Sequence, residues 1–234
     1  MRRFLPLLLC WPLLTGAAAS SRLFDGANDE VDWGNVMDVT TNDVSWCVWY
    51  NATEDSSDDF PLGKRSGAAL GYNTYQTSTD EARCVVDDDV VVQSAVGTAD
   101  IDGVWTHICC VWNSTDDDLF LYEQAVQTAS DVADTIGTLT NAANLQSGEA
   151  SDNANDANGL AAFASIYLSK VLTASEVLEE FHKVGSLAAD FRAPIMGDNP
   201  EPEWQAKLSG TQSGTDASSA SGPPTMMGPW GYSP

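Results

Sequence analysis

Few side chains in this sequence could carry out a reaction. There are two histidines, His107 and His182. His107 sits in a β-forming run with no Ser or Cys nucleophile elbow beside it, and Cys110 is the thiol considered as its partner. His182 falls at the end of a helical stretch, where a cation suits the helix dipole. Hydrolysis of a glycosidic bond needs two carboxylates roughly 5–10 Å apart. On a strand that means acids at i and i+2 or i+4, since alternate residues share a face. No β run here shows that pattern. Glu176, Glu179 and Glu180 lie in the helical stretch, where a solvated face accounts for them. The residue pattern is that of a protein that is not an enzyme.

Binding chemistry is better represented. Neutral sugars lay their apolar faces on aromatic rings, with a few polar groups choosing the orientation. Trp33, Trp49, Tyr72, Tyr75 and Trp112 are candidates for such a platform. Tyr72 and Tyr75, flanking Asn73 and Thr74, are expected to be the exposed ones.

Cys47, Cys84, Cys109 and Cys110 each sit inside an apolar β-like run, with no spacing suited to zinc. Neighbours on a strand point to opposite faces, so Cys109 and Cys110 are not expected to pair with each other. Two disulfide arrangements stay open: 47–109 with 84–110, or 47–110 with 84–109.

An oxidising compartment is also what the N-terminus suggests. Arg2 and Arg3 precede the apolar run Phe4–Leu14, and Ala17–Ala19 supply a cleavage site before Ser20. That is the layout of a secretory signal peptide, residues 1–19, and it is too short to span a bilayer. Cleavage would take the net charge from −24 to −26, since two arginines and no acids leave. Asn51 and Asn113 head N-x-Ser/Thr sequons and are glycosylation candidates. With 10 basic against 34 acidic residues, no face can displace counterions from nucleic acid, and polyanionic glycans and anionic membranes are disfavoured. An acidic surface does suit calcium-rich or salty surroundings and neutral partners.

The elements that would position these residues are mainly strands. Gly103–Tyr122 reads as two β runs around the polar turn 113–118, a hairpin. Val44–Tyr50 is apolar on both faces and should lie centrally in a sheet covered on both sides. Further strands are expected at 23–24, 31–33, 68–75, 82–92 (with a hairpin tip at Asp87–Asp89), 125–132, 136–145 and 160–168; 51–59 reads as an acidic loop. Thr173-Ala-Ser-Glu176 is a capping box opening one short helix, with Val177, Leu178, Phe181 and Val184 on its apolar face and Gly185 at its end. Residues 188–234 turn to Pro, Gly, Ser and Met and read as an irregular tail. Short strands separated by turns indicate an all-β, two-sheet jelly-roll sandwich over residues 20–187.

Five segments in order carry a family resemblance: FDGANDEVDWG at 24–34, VSWCVW at 44–49, GVWTHICCVW at 103–112, LFLYEQAVQ at 119–127 and GLAAFASIYLSKVLTASEVLEEFHKVG at 159–185. Together they resemble the laminin-G-like, concanavalin A-like lectin/glucanase jelly-roll domains found in secreted bacterial and phage-type proteins. The resemblance implies two antiparallel sheets, one concave, and roles from glycan binding to adhesion and assembly. Some relatives hold calcium between the early Asp-Gly region and the late strand. Here only Asp25, Asn28 and Asp29 match, because Leu160–Ile166 carries no acid; the turn after Tyr122 has also lost its Gly. Two functions are expected from this. The first is a secreted, non-catalytic carbohydrate- or surface-binding module. The alternative is a self-associating structural subunit of a virion surface or extracellular filament.

Overall fold

The computed structural model describes residues 21–195 except 54–56, 68–69, 133, 151–154, 183–186 and 194. It also describes the backbone of 201–202, 209–213 and 218–219. The expected signal segment lies outside the described residues. The strands are β1 (Ser21–Asp25), β2 (Glu30–Asp32), β3 (Val44–Ala52), β4 (Asp59–Ser66), β5 (Leu70–Gln76), β6 (Glu81–Asp87), β7 (Val92–Asp100), β8 (Thr106–Asn113), β9 (Asp118–Glu123), β10 (Val126–Asp131), β11 (Leu145–Ser147) and β12 (Asn158–Leu168). Helix α1 (Ala174–His182) follows, then β13 (Phe191–Ala193), β14 (Glu201–Pro202), β15 (Ser209–Ser213) and β16 (Ser218–Ser219).

They form two sheets. The first runs β10-β9-β8-β3-β12-β1-β16, with β13 also on β12. The second runs β14-β15-β2-β11-β4-β5-β6-β7. Every named strand pair is antiparallel, as the jelly-roll reading requires. Between the sheets lies the main core, including Phe24, Trp46, Tyr50, Leu62, Tyr72, Ile108, Trp112 and Leu145. Trp46 Nε1 donates to Thr74 Oγ1 at 2.9 Å, so the buried indole bridges the sheets with its polar atom paired.

The two faces of the first sheet explain the cysteines. Cys47 and Cys109 face each other in the β3–β8 register and are joined. Cys110 points the other way, into the core, and bonds Cys84 of the second sheet. One bridge staples neighbouring strands and the other staples the two sheets. Each closes a long loop and contributes on the order of 3–4 kcal/mol by restricting the unfolded chain.

The outward face of β3, β8 and β12 is apolar too. Cys47, Cys109, Val111, Tyr122 and Tyr167 are covered by Leu172, Val177 and Ala189. Helix α1 is the lid, and its capping box forms as expected: Thr173 N donates to Glu176 Oε2 at 2.9 Å, and Glu176 N to Thr173 Oγ1 at 3.3 Å. Its buried face differs from the expected one. Leu178 is exposed, whereas Glu180 is buried. The carboxylate is accommodated because Arg192, Tyr167 and Ser165 all donate to it, at 3.0, 2.6 and 2.7 Å. An ionised group is tolerated inside only when so surrounded.

Three other expectations need correction. Residues 134–144 form no strand. Asn141 Nδ2 donates to Leu70 O and Leu139 O, and Thr140 Oγ1 to Val39 O, so side chains tie this segment across the strand ends. Conversely β4 forms at 59–66, between the expected loop 51–59 and the expected strand 68–75, where Pro61 and Gly63 interrupt any β pattern; the ladder shifts register between Asp59 and Leu62. The tail is not wholly irregular: β15 pairs with β2 and β16 with β1, extending both sheets past their edges.

That last pairing yields a prediction. Open strand edges template self-association. Deleting residues 201–234 should uncover β1 and β2 and shift the chain to larger species in light scattering. An unchanged mass distribution would show that the tail does not guard these edges.

Candidate functional site

Helix α1 lies over the first sheet; among the described residues no helix covers the outward face of the second, where Ala150 packs on Phe60, Tyr75 and Val85. Strand register sets out its residues in rows. Tyr75, Arg83 and Val96 lie side by side on β5, β6 and β7. Asn73, Val85 and Ser94 form the next row, and Gly71, Asp87 and Val92 the one after. Arg65 of β4 stands opposite Gly71, and Gly63 opposite Asn73.

This face concentrates polar groups. Arg65 donates from its guanidinium to the Tyr75 hydroxyl. The guanidinium carbons of Arg65 and Arg83 lie 5.8 and 5.9 Å from the Tyr75 ring centroid, within cation–π range. Arg83 Nε donates to Ser94 Oγ at 2.6 Å. Asp87 is buried and its carboxyl is pushed up, mainly by that burial; the Asp89 amide and Arg65 pull the other way. Asn73 Oδ1 is buried and meets no donor among the described residues. Phe60, Tyr75, Val85 and Ala150 form a small apolar cluster beside these groups. A Cβ at Gly63 would come within 2.5 Å of Asn73 Cβ and 2.7 Å of Phe60 Cζ, so the glycine makes room for both.

The structure separates the expected site residues. Tyr75 and Asn73 are on this face, but Tyr72 is on the core side, with its hydroxyl donating to Met37 O at 3.0 Å. The expectation that Tyr72 and Tyr75 stand exposed is corrected: they are 0% and 8% exposed. Tyr75 is roofed by its arginines and Phe60. Trp33, Trp49 and Trp112 are buried as well, Trp33 edge-on to Phe191 at 5.2 Å and Trp49 against Phe181 at 5.4 Å. Arg65, Arg83 and Ser94 were not legible as site residues.

Asp25 and Asn28 are exposed, and Asn28 takes the left-handed conformation of a tight turn. Asp29 is buried 4.0 Å from Arg22 and accepts from Asp25 N at 3.1 Å. Among the described residues no three His, Cys, Asp or Glu side chains gather as a metal cluster. Asn51 is half-buried on β3. Asn113, at the hairpin turn, donates to Asp116 Oδ2 at 2.8 Å.

No thiol–imidazole pair forms, since Cys110 is in a disulfide on the opposite face of β8 from His107. Burial pushes the His107 pKa down to about 3, so the ring is neutral, packed beside Trp49 and Phe181. One carboxylate pair does show opposed shifts. Glu123 is pushed up by burial, with the charge of Glu81 adding and Thr128 opposing. Glu81 is held down by the hydroxyls of Thr79 and Thr77. Glu123 lies against Gly97, where a Cβ would come within 2.7 Å of Oε2, so close packing accounts for its shift.

A family model described as the concanavalin A-like lectin/glucanases superfamily matches residues 25–178. No curated protein matches the sequence. Among solved structures, the chain is similar to a putative carbohydrate binding protein from Bacteroides ovatus, with TM-score 0.67 and 10% identity, covering 87% of this chain and 60% of that one. It is similar to a heptameric SAP-like pentraxin from Limulus polyphemus, with TM-score 0.56 and 11% identity, covering 70% and 82%. It is also similar to the CBM40 of a Ruminococcus gnavus IT-sialidase bound to alpha2,3 sialyllactose, with TM-score 0.50 and 12% identity, covering 58% and 81%. At these identities the likeness is one of fold.

The Glu123 environment gives a test of its role. Its folded pKa lies above the unfolded value, so the ionised carboxylate opposes folding at neutral pH; this cost falls away as pH drops from the folded pKa through the unfolded one and is gone below it. Glu123→Gln should raise the melting temperature at pH 7, with the gain shrinking toward zero by about pH 4. A gain that grows on acidification, or a loss at pH 7, would contradict the assignment.

Proposed function

The chain belongs to the concanavalin A-like lectin/glucanase superfamily, and on that basis we propose that it is a non-catalytic carbohydrate-binding module. Its ligand face is the outward side of β5, β6 and β7. The observation that carries this reading is the asymmetry of the sandwich. Helix α1 seals the outward face of the first sheet. The second sheet instead carries Arg83, Ser94 and the exposed Val92 and Val96 on adjacent strands. Sugars need such a combination: fixed hydrogen-bonding groups beside an apolar surface. Solved neighbours include a putative carbohydrate binding protein and a sialyllactose-bound module, which supports the same reading.

The setting is extracellular. Two disulfides fit an oxidising compartment, and no helix among the described residues is long and apolar enough to cross a membrane. The signal-peptide layout of residues 1–19 supports export. A structural or assembly role is the second reading. It is favoured by β10, a largely exposed edge strand that includes Val126 at 63% exposure, although the two roles are compatible.

A glycan panel tests the proposal. The native chain should bind at least one class of oligosaccharide. Val96→Arg, at an exposed position on the proposed face, should weaken that binding about tenfold or more without changing the melting temperature. Leu178→Arg, on the exposed side of α1, should leave it unchanged. Absence of any hit, or loss of binding through Leu178→Arg but not Val96→Arg, would overturn the proposal.

A further inference from the structure

Six of the ten lysines and arginines fall among the described residues. Four stand close to an acid: Arg22 by Asp29, Lys64 by Asp38, Lys170 by Glu176 and Arg192 by Glu180. Arg65 lies near Asp87. Arg83 has no ion pair described for it, and the acids on its side, Asp87 and Asp131, accept from backbone amides instead. In a chain carrying −24, an unpaired cation fixed on a sheet face stands apart from the general charge.

Resting on the reading above, we propose that this face recognises a sugar bearing a carboxylate, and that Arg83 receives the carboxylate. The Nε bond to Ser94 Oγ and the Tyr75 ring beside the guanidinium fix the plane of the fork. That leaves the terminal nitrogens of Arg83, which have no hydrogen-bond partner among the described residues. Two parallel N–H groups match the spacing of carboxylate oxygens, so the pair can be bidentate. Ser94 Oγ accepts from Arg83, and its own proton is therefore directed elsewhere and can be donated to the ligand. Val96, directly across from Arg83 and 40% exposed, offers an apolar surface for the sugar ring.

The nearby acids set the limit on charge. Asp87 accepts from Asp89 N at 2.7 Å and Asp131 from Ser94 N at 2.9 Å, and neither forms an ion pair with Arg83. They leave the fork available but would repel a second anionic group. Together with the overall charge they select a single carboxylate over a polyanion.

Calorimetric titration with three matched sets of oligosaccharides tests the inference. One set ends in hexuronic or ulosonic acids, one in their methyl esters, and one in the neutral hexoses. The acids should bind about tenfold or more tighter than the esters and neutral sugars. Arg83→Gln should erase that preference with the melting temperature unchanged, and Arg83→Lys should keep part of it. If neutral sugars and esters bind as tightly as acids, the carboxylate inference fails and the carbohydrate reading stands. An acid preference that survives Arg83→Gln removes Arg83 from the role. If no set binds, both readings fail.

Discussion

Strands β3 and β8 are apolar on both faces, and burying both is the constraint on which this structure depends. Trp46, Val48 and Tyr50 point inward, while Cys47 and Trp49 point outward, and all are at most 2% exposed. A strand of this kind is stable only between two covering layers. The second sheet is one layer. The other is formed by Leu172, α1 and Ala189, with α1 held down by the buried Glu180–Arg192 pair. The two disulfides follow the same alternation, one on each side of β8. The outward face of the second sheet carries no helix among the described residues, and its β7 side exposes Val92 and Val96.

Charge is handled by the same separation. The chain is strongly acidic, so most of its described cations serve to neutralise particular carboxylates. Lys64 shows how: its buried ammonium meets Asp38 at 3.0 Å and Asn35 Oδ1 at 2.6 Å, and burial still pulls its pKa down. There the cation fastens the 34–43 segment to β4. The arginines around Tyr75 instead face away from the core, on strands without a covering helix.

Much of the fold was legible because its signals are local. The β8–β9 hairpin is marked by its polar turn, α1 by Thr173 and Glu176, and the adjacency of Cys109 and Cys110 already divides the disulfides between two faces. What was not legible depends on partners distant in sequence. Glu180 looks like a solvated helix residue until Arg192 and Tyr167 are brought to it. β4 is hidden by Pro61 and Gly63, whose breaks are absorbed by a register shift. Tyr75 looked exposed because its neighbours in the chain are polar, yet its surroundings come from β4 and β6. Nothing in the local sequence marks Arg83 as a site residue, and only register sets it between Tyr75 and Val96.

The central claim is that the outward face of β5–β7 is where ligand is received. A two-dimensional NMR titration of the isotope-labelled chain with methyl glucuronide tests it most directly. The account predicts saturable shifts at the amides of Arg83, Ser94 and Val96 and at the Arg83 side chain, with α1 silent. Saturable shifts clustered on α1 or on the loops at the sandwich ends, with β5–β7 unmoved, would contradict it.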